Sequence, residues 1–136
     1  MISEEAHFRV QFFDVDSMNV VWHGNYCKYL EEARCKLLDK LGYNYKAMAE
    51  SGFSFPVVDM RLKYVKPLVF EQSFKVIATL VEWENRLKIN YRLEDLVTGE
   101  KLTTAYTIQV AVNMHTGLMH FISPSILLQK IEALKA

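Results

Sequence analysis

The change of hydrophobic period along this chain constrains its fold more than any other feature. Between Asn25 and Leu41 apolar residues recur every three or four positions, at Tyr26, Tyr29 or Leu30, Ala33, Leu37 and Leu41. Lys28, Glu31, Glu32, Lys36, Asp39 and Lys40 fall mostly between them. That spacing gathers the apolar side chains on one stripe of a long helix. Asn25 or Gly24 suits its N-cap, and Gly42 its C-terminal stop. Lys28/Glu32 and Glu32/Lys36 stand four apart and predict modest surface pairs. A short helical turn is expected at about Tyr45–Ser51.

On either side of that helix the period is two. His7 to Phe13 alternates Phe8, Val10 and Phe12 with Arg9 and Gln11, a strand with one buried face. After Gly52, strands are expected over Phe53–Val65, Phe70–Trp83, Arg86–Leu96 and Lys101–Met114, then a short one at Leu118–Ile122. Glu84-Asn85 and Val97-Thr98-Gly99-Glu100 are of hairpin-turn length. Pro124 opens a last amphipathic helix. A strand, a long helix and then a run of antiparallel strands is an α+β order. One antiparallel sheet can wrap one such helix, leaving its outer face to solvent or to another subunit.

Composition narrows the function. The chain has 136 residues, enough for one domain, taken as 1–136, with little room for a second. Sixteen Lys plus Arg balance sixteen Asp plus Glu, and 51% of residues are hydrophobic. Disorder is excluded by that hydrophobicity, and nucleic acid is not an expected partner without a basic surplus. No apolar run approaches the ~20 residues of a membrane span. The acidic start MISEEAHFRV has no apolar core, so no secretory signal is read there and a cytoplasmic location is expected. Cys27 and Cys35 lie about 12 Å apart along the expected helix, too far for a disulfide, so both are free thiols. No metal-ligand spacing is present. Eight Phe, seven Tyr and two Trp hint at apolar surface covered by a partner.

The informative run is FFDVDSMNVVWHGNYCKYLEEAR, from Phe12 to Arg34. It holds Asp14 and Asp16 in an Asp-x-Asp turn, Val20-Val21, Trp22-His23, Asn25-Tyr26, and Glu31-Glu32-Ala33-Arg34. This constellation resembles the hotdog-fold acyl-CoA thioesterases, in particular the 4-hydroxybenzoyl-CoA thioesterase and YbgC-like group. The element order resembles the hotdog fold over nearly the whole chain, an antiparallel sheet wrapped around one long helix. The sequence departs from the family at Ser17-Met18-Asn19, where relatives often carry a Gly-containing segment, and at Glu71, where Asp is common.

The resemblance implies an acyl-CoA thioesterase that releases a carboxylic acid and CoA without metal or other cofactor. Asp16 maps to the catalytic carboxylate, as nucleophile or general base. His23 maps to the oxyanion amide at the helix start and is a candidate for a side-chain role. Asp14 is read as fixing the turn, since Asp-x-Asp before a helix is usually turn chemistry. Asn25 and Tyr26 are candidates for ordering the helix start and the substrate. Lys63, Lys66 and Arg86 are candidates for the phosphates of CoA, and Tyr64 for the pocket. Tyr64, Lys66 and Pro67 are candidates for contributions from a second subunit, in a homodimer or homotetramer. His7, His115 and His120 lack companion acids and are read as structural or exposed. Acyl carrier protein is the alternative carrier. A hotdog dehydratase or hydratase and a non-catalytic acyl-thioester binder are the alternative functions.

Overall fold

The computed structural model describes residues 2–135. In chain order they form β1 (Ile2–Arg9), α1 (Tyr26–Leu41), α2 (Tyr45–Glu50), β2 (Phe53–Ser54), β3 (Val57–Tyr64) and β4 (Ser73–Glu82). There follow β5 (Leu87–Asp95), β6 (Lys101–Gln109), β7 (Ala111–Asn113), β8 (Met119–His120) and α3 (Ser125–Lys135). A five-stranded antiparallel sheet runs β1-β4-β5-β6-β3, and a small sheet runs β2-β7-β8.

The helix forms where the 3.6-residue period requires it. Tyr26, Tyr29, Leu30, Ala33, Leu37, Leu38 and Leu41 are buried on one stripe of α1. They meet the inward residues of the sheet, including Val76, Ala78 and Leu80 of β4 and Leu87, Ile89 and Leu93 of β5. Each such leucine contributes about 1.5–3 kcal/mol by leaving water. Gly42 ends the helix at φ 74, a left-handed conformation that costs glycine nothing. This is the α+β hotdog arrangement.

Three departures from the periodicity have local causes. The first strand starts at Ile2 and ends at Arg9, because pairing with β4 from Ile2↔Leu80 to Arg9↔Ser73 extends it through polar residues. Phe12 then lies in a short 3-10 turn, Phe12–Asp14, and is exposed. The expected Phe53–Val65 strand breaks at Pro56, which has no N–H for a ladder. Its partner breaks at Val110, and both halves stay paired, as Ser54↔Val112 and Val57↔Gln109.

Candidate active site

The segment between β1 and α1 is a small hairpin. The Asp16 N–H donates to Val20 O at 2.9 Å, and the Trp22 N–H donates to Asp14 O at 3.0 Å. Val15 bridges Val21 between them. Asn19 makes the reversal at φ 64, where asparagine is tolerated better than most side chains. In the segment that departs from the family's Gly-containing pattern, Asn19 therefore keeps a glycine-compatible backbone.

Asp14 anchors this hairpin to the helix. It is 3% exposed. Lys28 Nζ donates to its Oδ1 at 2.6 Å, and Tyr29 OH donates to its Oδ2 at 2.8 Å. Burial alone would raise its pKa, but the hydrogen bonds from Lys28, Tyr29 and the Gln11 N–H outweigh it and hold the carboxyl below its ordinary value. The Tyr29 hydroxyl is pushed up by burial and by its bond to Asp14. Lys28 thus turns to Asp14 rather than to Glu32, and the two helix-surface pairs expected from spacing are not among the ion pairs of the described residues.

Asp16 is exposed, two residues beyond this anchor. Its Oδ1 accepts the Met18 N–H at 2.8 Å, and no protein donor engages Oδ2 among the described residues. A 3-10 turn, His23–Asn25, then leads directly into α1. The Trp22 indole lies so close to Gly24 that a Cβ there would stand 2.2 Å from the ring. Asn25 does not cap the helix with its side chain; its Nδ2 donates to Asp14 O at 2.8 Å. No acceptor takes the His23 N–H among the described residues. That N–H belongs to the turn that leads into α1.

Beside this helix start lies a cavity of about 210 Å³ lined by Val21, His23, Tyr26, Tyr64, Lys66 and Pro67, with Val65. One chain is therefore enough to bring Tyr64, Lys66 and Pro67 to His23 and Tyr26. The Tyr26 and Tyr64 rings meet edge-on at 4.9 Å. Burial raises both phenols, so both remain protonated donors at neutral pH. Lys66 reaches Glu100 at 3.1 Å. Asp16 does not line this cavity and makes no hydrogen bond to His23.

The other two predicted cations lie elsewhere. Lys63 lies in a separate cleft on the outer face of the sheet. Arg86 precedes β5 and pairs with Glu82 at 3.1 Å. Its neighbour Leu87 is in line with Gln109 and Val57, whereas Leu93 is in line with Thr103 and Tyr64. Arg86 is thus roughly 20 Å along the sheet from Tyr64. The Trp22–Gly24 contact and the Asp14–Lys28 tie were not visible in periodicity, because each joins groups that no spacing rule relates. The Arg34 at the end of the signature run is buried and donates from Nε to the Tyr45 hydroxyl at 2.8 Å.

The model of the thioesterase-like superfamily matches residues 10–132. The chain belongs to that superfamily. Among curated proteins it is similar to a provisionally named esterase of Aquifex aeolicus (strain VF5), 36% identical over 74 residues, which are 54% of this chain and 58% of that protein. It is also similar to a provisionally named acyl-CoA thioesterase, YneP, of Bacillus subtilis (strain 168). That match is 35% identical over 87 residues, 64% of this chain and 62% of the relative. The chain thus spans about six-tenths of the length of these two superfamily relatives. The solved DHNA-CoA thioesterase of Staphylococcus aureus superposes with a TM-score of 0.84 at 26% identity, over 99% of this chain and 94% of that one.

Proposed function

We propose that this superfamily member is an acyl-CoA thioesterase, with Asp16 as the catalytic carboxylate and the His23 N–H as the oxyanion donor. The observation that carries this reading is the pair of unengaged groups on one anchored hairpin. They are a carboxylate oxygen at Asp16 and the His23 N–H in the turn that leads into α1. The names of the curated relative YneP and of the solved DHNA-CoA thioesterase support the substrate class.

In the nucleophilic route, Asp16 Oδ2 attacks the thioester carbonyl carbon and the His23 N–H receives the oxyanion. The C–S bond breaks, CoA leaves as a thiolate that takes a proton from water, and a second water hydrolyses the mixed anhydride. In the general-base route, Asp16 removes a proton from water, which attacks the same carbon. Either route uses only these groups and water, so turnover should survive exhaustive chelation. Single turnover in 18O-water separates them, since only the anhydride route can place label in Asp16.

The exposed β3 edge supports a homodimer. β3 ends the sheet and carries Val57, Val58, Met60 and Tyr64, all substantially exposed. The other edge, β1, carries Glu4, Glu5, His7 and Arg9 instead. β3 is an eight-residue unpaired edge on which those apolar side chains are interspersed with Asp59, Arg61 and Lys63, and such an edge can take up a second strand. Two-fold pairing of β3 with a second copy would be antiparallel. It would set the Val57 end of one chain beside the Tyr64 end of the other, with Arg86 two strands, roughly 10 Å, behind the seam. Lys66 would then meet the substrate phosphates within the chain, and Arg86 stands too far back to be assigned to them. The two free thiols, Cys27 and Cys35, fit a reducing, cytoplasmic setting.

Asp16→Asn is the decisive variant. Asparagine keeps the Oδ1 that accepts the Met18 N–H, so the hairpin and the melting temperature should be unchanged while turnover of an acyl-CoA panel falls by at least about 10³-fold. Acyl carrier protein thioesters belong in the same panel. Wild-type turnover by Asp16→Asn would sink the mechanism.

A further inference from the structure

The outer face of the sheet holds a feature that the thioesterase reading does not use. An open cleft of about 620 Å³ lies over β6, between cations of β3 and β5, and extends across β5 to Ile77 and Thr79 of β4. Arg61 and Lys63 stand on one wall and Lys88 and Arg92 on the other, with Thr104 and Tyr106 between them. The register explains the gathering. Arg61 is in line with Tyr106 and Asn90, and Lys63 with Thr104 and Arg92. Residues two apart on a strand share a face, so all of these side chains project to the same side.

Three of the four cations lack an acidic partner. No carboxylate lies within ion-pair distance of Arg61, Lys63 or Lys88 among the described residues. Arg92 pairs with Glu94, and the nearby Glu82 is taken by Arg86. Asp59 stands at one margin, where it accepts from the Tyr106 hydroxyl at 3.4 Å. Lys88 Nζ is held 4.8 Å from the Tyr106 ring centroid, which fixes its charge over the floor. The chain as a whole has zero formal charge, so this concentration is a local feature and not one sample of a basic surface.

We propose that this cleft binds an anion carrying two or more phosphates. The walls are two strand spacings apart, roughly 10 Å, and Arg61 and Lys63 are roughly 7 Å apart along their strand. Lys63 faces Arg92 across the floor, Arg61 faces Asn90, and Lys88 stands one residue pair further along, in line with Asp59 and roughly 13 Å from Arg92, so a linked pair of phosphates is needed to reach cations on both strands. Thr104 and Asn90 supply neutral hydrogen bonds to the remaining oxygens. Strand pairing at the β3 edge lies in the plane of the sheet, so it leaves this face open. Binding of a polyphosphate here stands independently of the reaction proposed above. Its occupant is either a free nucleotide-like polyphosphate or the nucleotide end of a coenzyme A thioester, the second of which rests on the thioesterase reading and would replace the phosphate contact given there to Lys66.

Calorimetric titration of the full chain with inorganic pyrophosphate and with adenosine 3′,5′-bisphosphate, at near-physiological salt, tests this. Saturable pyrophosphate binding is expected, weakened about tenfold or more in Arg61→Gln/Lys88→Gln and also in the single Lys88→Gln. Lys46→Gln, which removes an exposed cation on α2, should leave it unchanged. Absence of saturable binding, or equal weakening by Lys46→Gln, would overturn the site. Steady-state kinetics then identify the occupant. A KM that rises in the double variant for an acyl-CoA but not for the matching acyl-pantetheine assigns the cleft to the substrate's nucleotide. KM values unchanged for both, with pyrophosphate binding lost, assign it to a separate effector.

Discussion

Tyr29→Phe probes the tie that holds the hairpin bearing Asp14 and Asp16 to the helix. The substitution removes one oxygen and keeps the ring, which packs 5.2 Å from Phe8 and 4.9 Å from Phe74. Asp14, 3% exposed, then loses one of its two side-chain donors. A hydrogen bond to a charged group contributes about 1.5–3 kcal/mol. The Lys28 bond to Oδ1 remains, so Asp14 keeps one of its two side-chain donors and only the Tyr29 bond is lost. A loss of about 2 kcal/mol at pH 7 is therefore expected, or about 6 °C in Tm for a chain of this size.

The pH dependence of that loss distinguishes the tie from generic packing. The folded Asp14 carboxyl lies below its ordinary value of 3.8, so it stabilises the fold above about pH 4 and loses that contribution as pH falls through the lowered folded value. Tyr29→Phe removes part of the lowering, so the gap between wild type and variant should narrow below about pH 4. Urea unfolding followed by circular dichroism at pH 7 and pH 3 measures both quantities. A gap below about 0.5 kcal/mol at pH 7, or one as large at pH 3, would refute the reasoning.

Three further outcomes are expected. Gly24→Ala must swing the Trp22 indole out of contact; kcat should fall about tenfold with a stability loss of about 1–3 kcal/mol, and unchanged kinetics would show that the close approach does not matter. Val58→Lys places a charge on the β3 edge, where Val58 is 57% exposed; sedimentation should show monomers with turnover lost, and a wild-type monomer that is fully active would exclude the seam. Asp95 is held at about 2 by the Gln72 side chain and then by the Thr98 and Val97 N–H groups, so its contribution is present above about pH 4 and lost as pH falls towards 2. Thermal melts of Asp95→Asn should therefore sit below wild type at pH 7 and converge with it near pH 2.

The chain's own periodicity determined the elements that bury one face against another. The helix from Tyr26 to Leu41, its stop at Gly42, and the strands β4, β5 and β6 all follow from burial contrast between neighbours, which spacing records directly. The run from Asp14 to Arg34 likewise marked the hairpin and the helix start. Tertiary structure decided what joins residues far apart in the chain. Asn25 ties to Asp14 instead of capping its helix, because the Asp14 carbonyl lies within 2.8 Å of its amide. Lys28 leaves its helical neighbour Glu32 for a buried carboxylate, where one charge-assisted bond outweighs a solvated pair. Lys63 and Lys66, three residues apart and equivalent as cations, serve different surfaces: β3 ends at Tyr64, so Lys63 keeps the outer face of the sheet and Lys66 turns beyond it to the cavity with His23. Strand alternation tells only that two faces exist; which face meets a ligand depends on what the rest of the chain packs against the other.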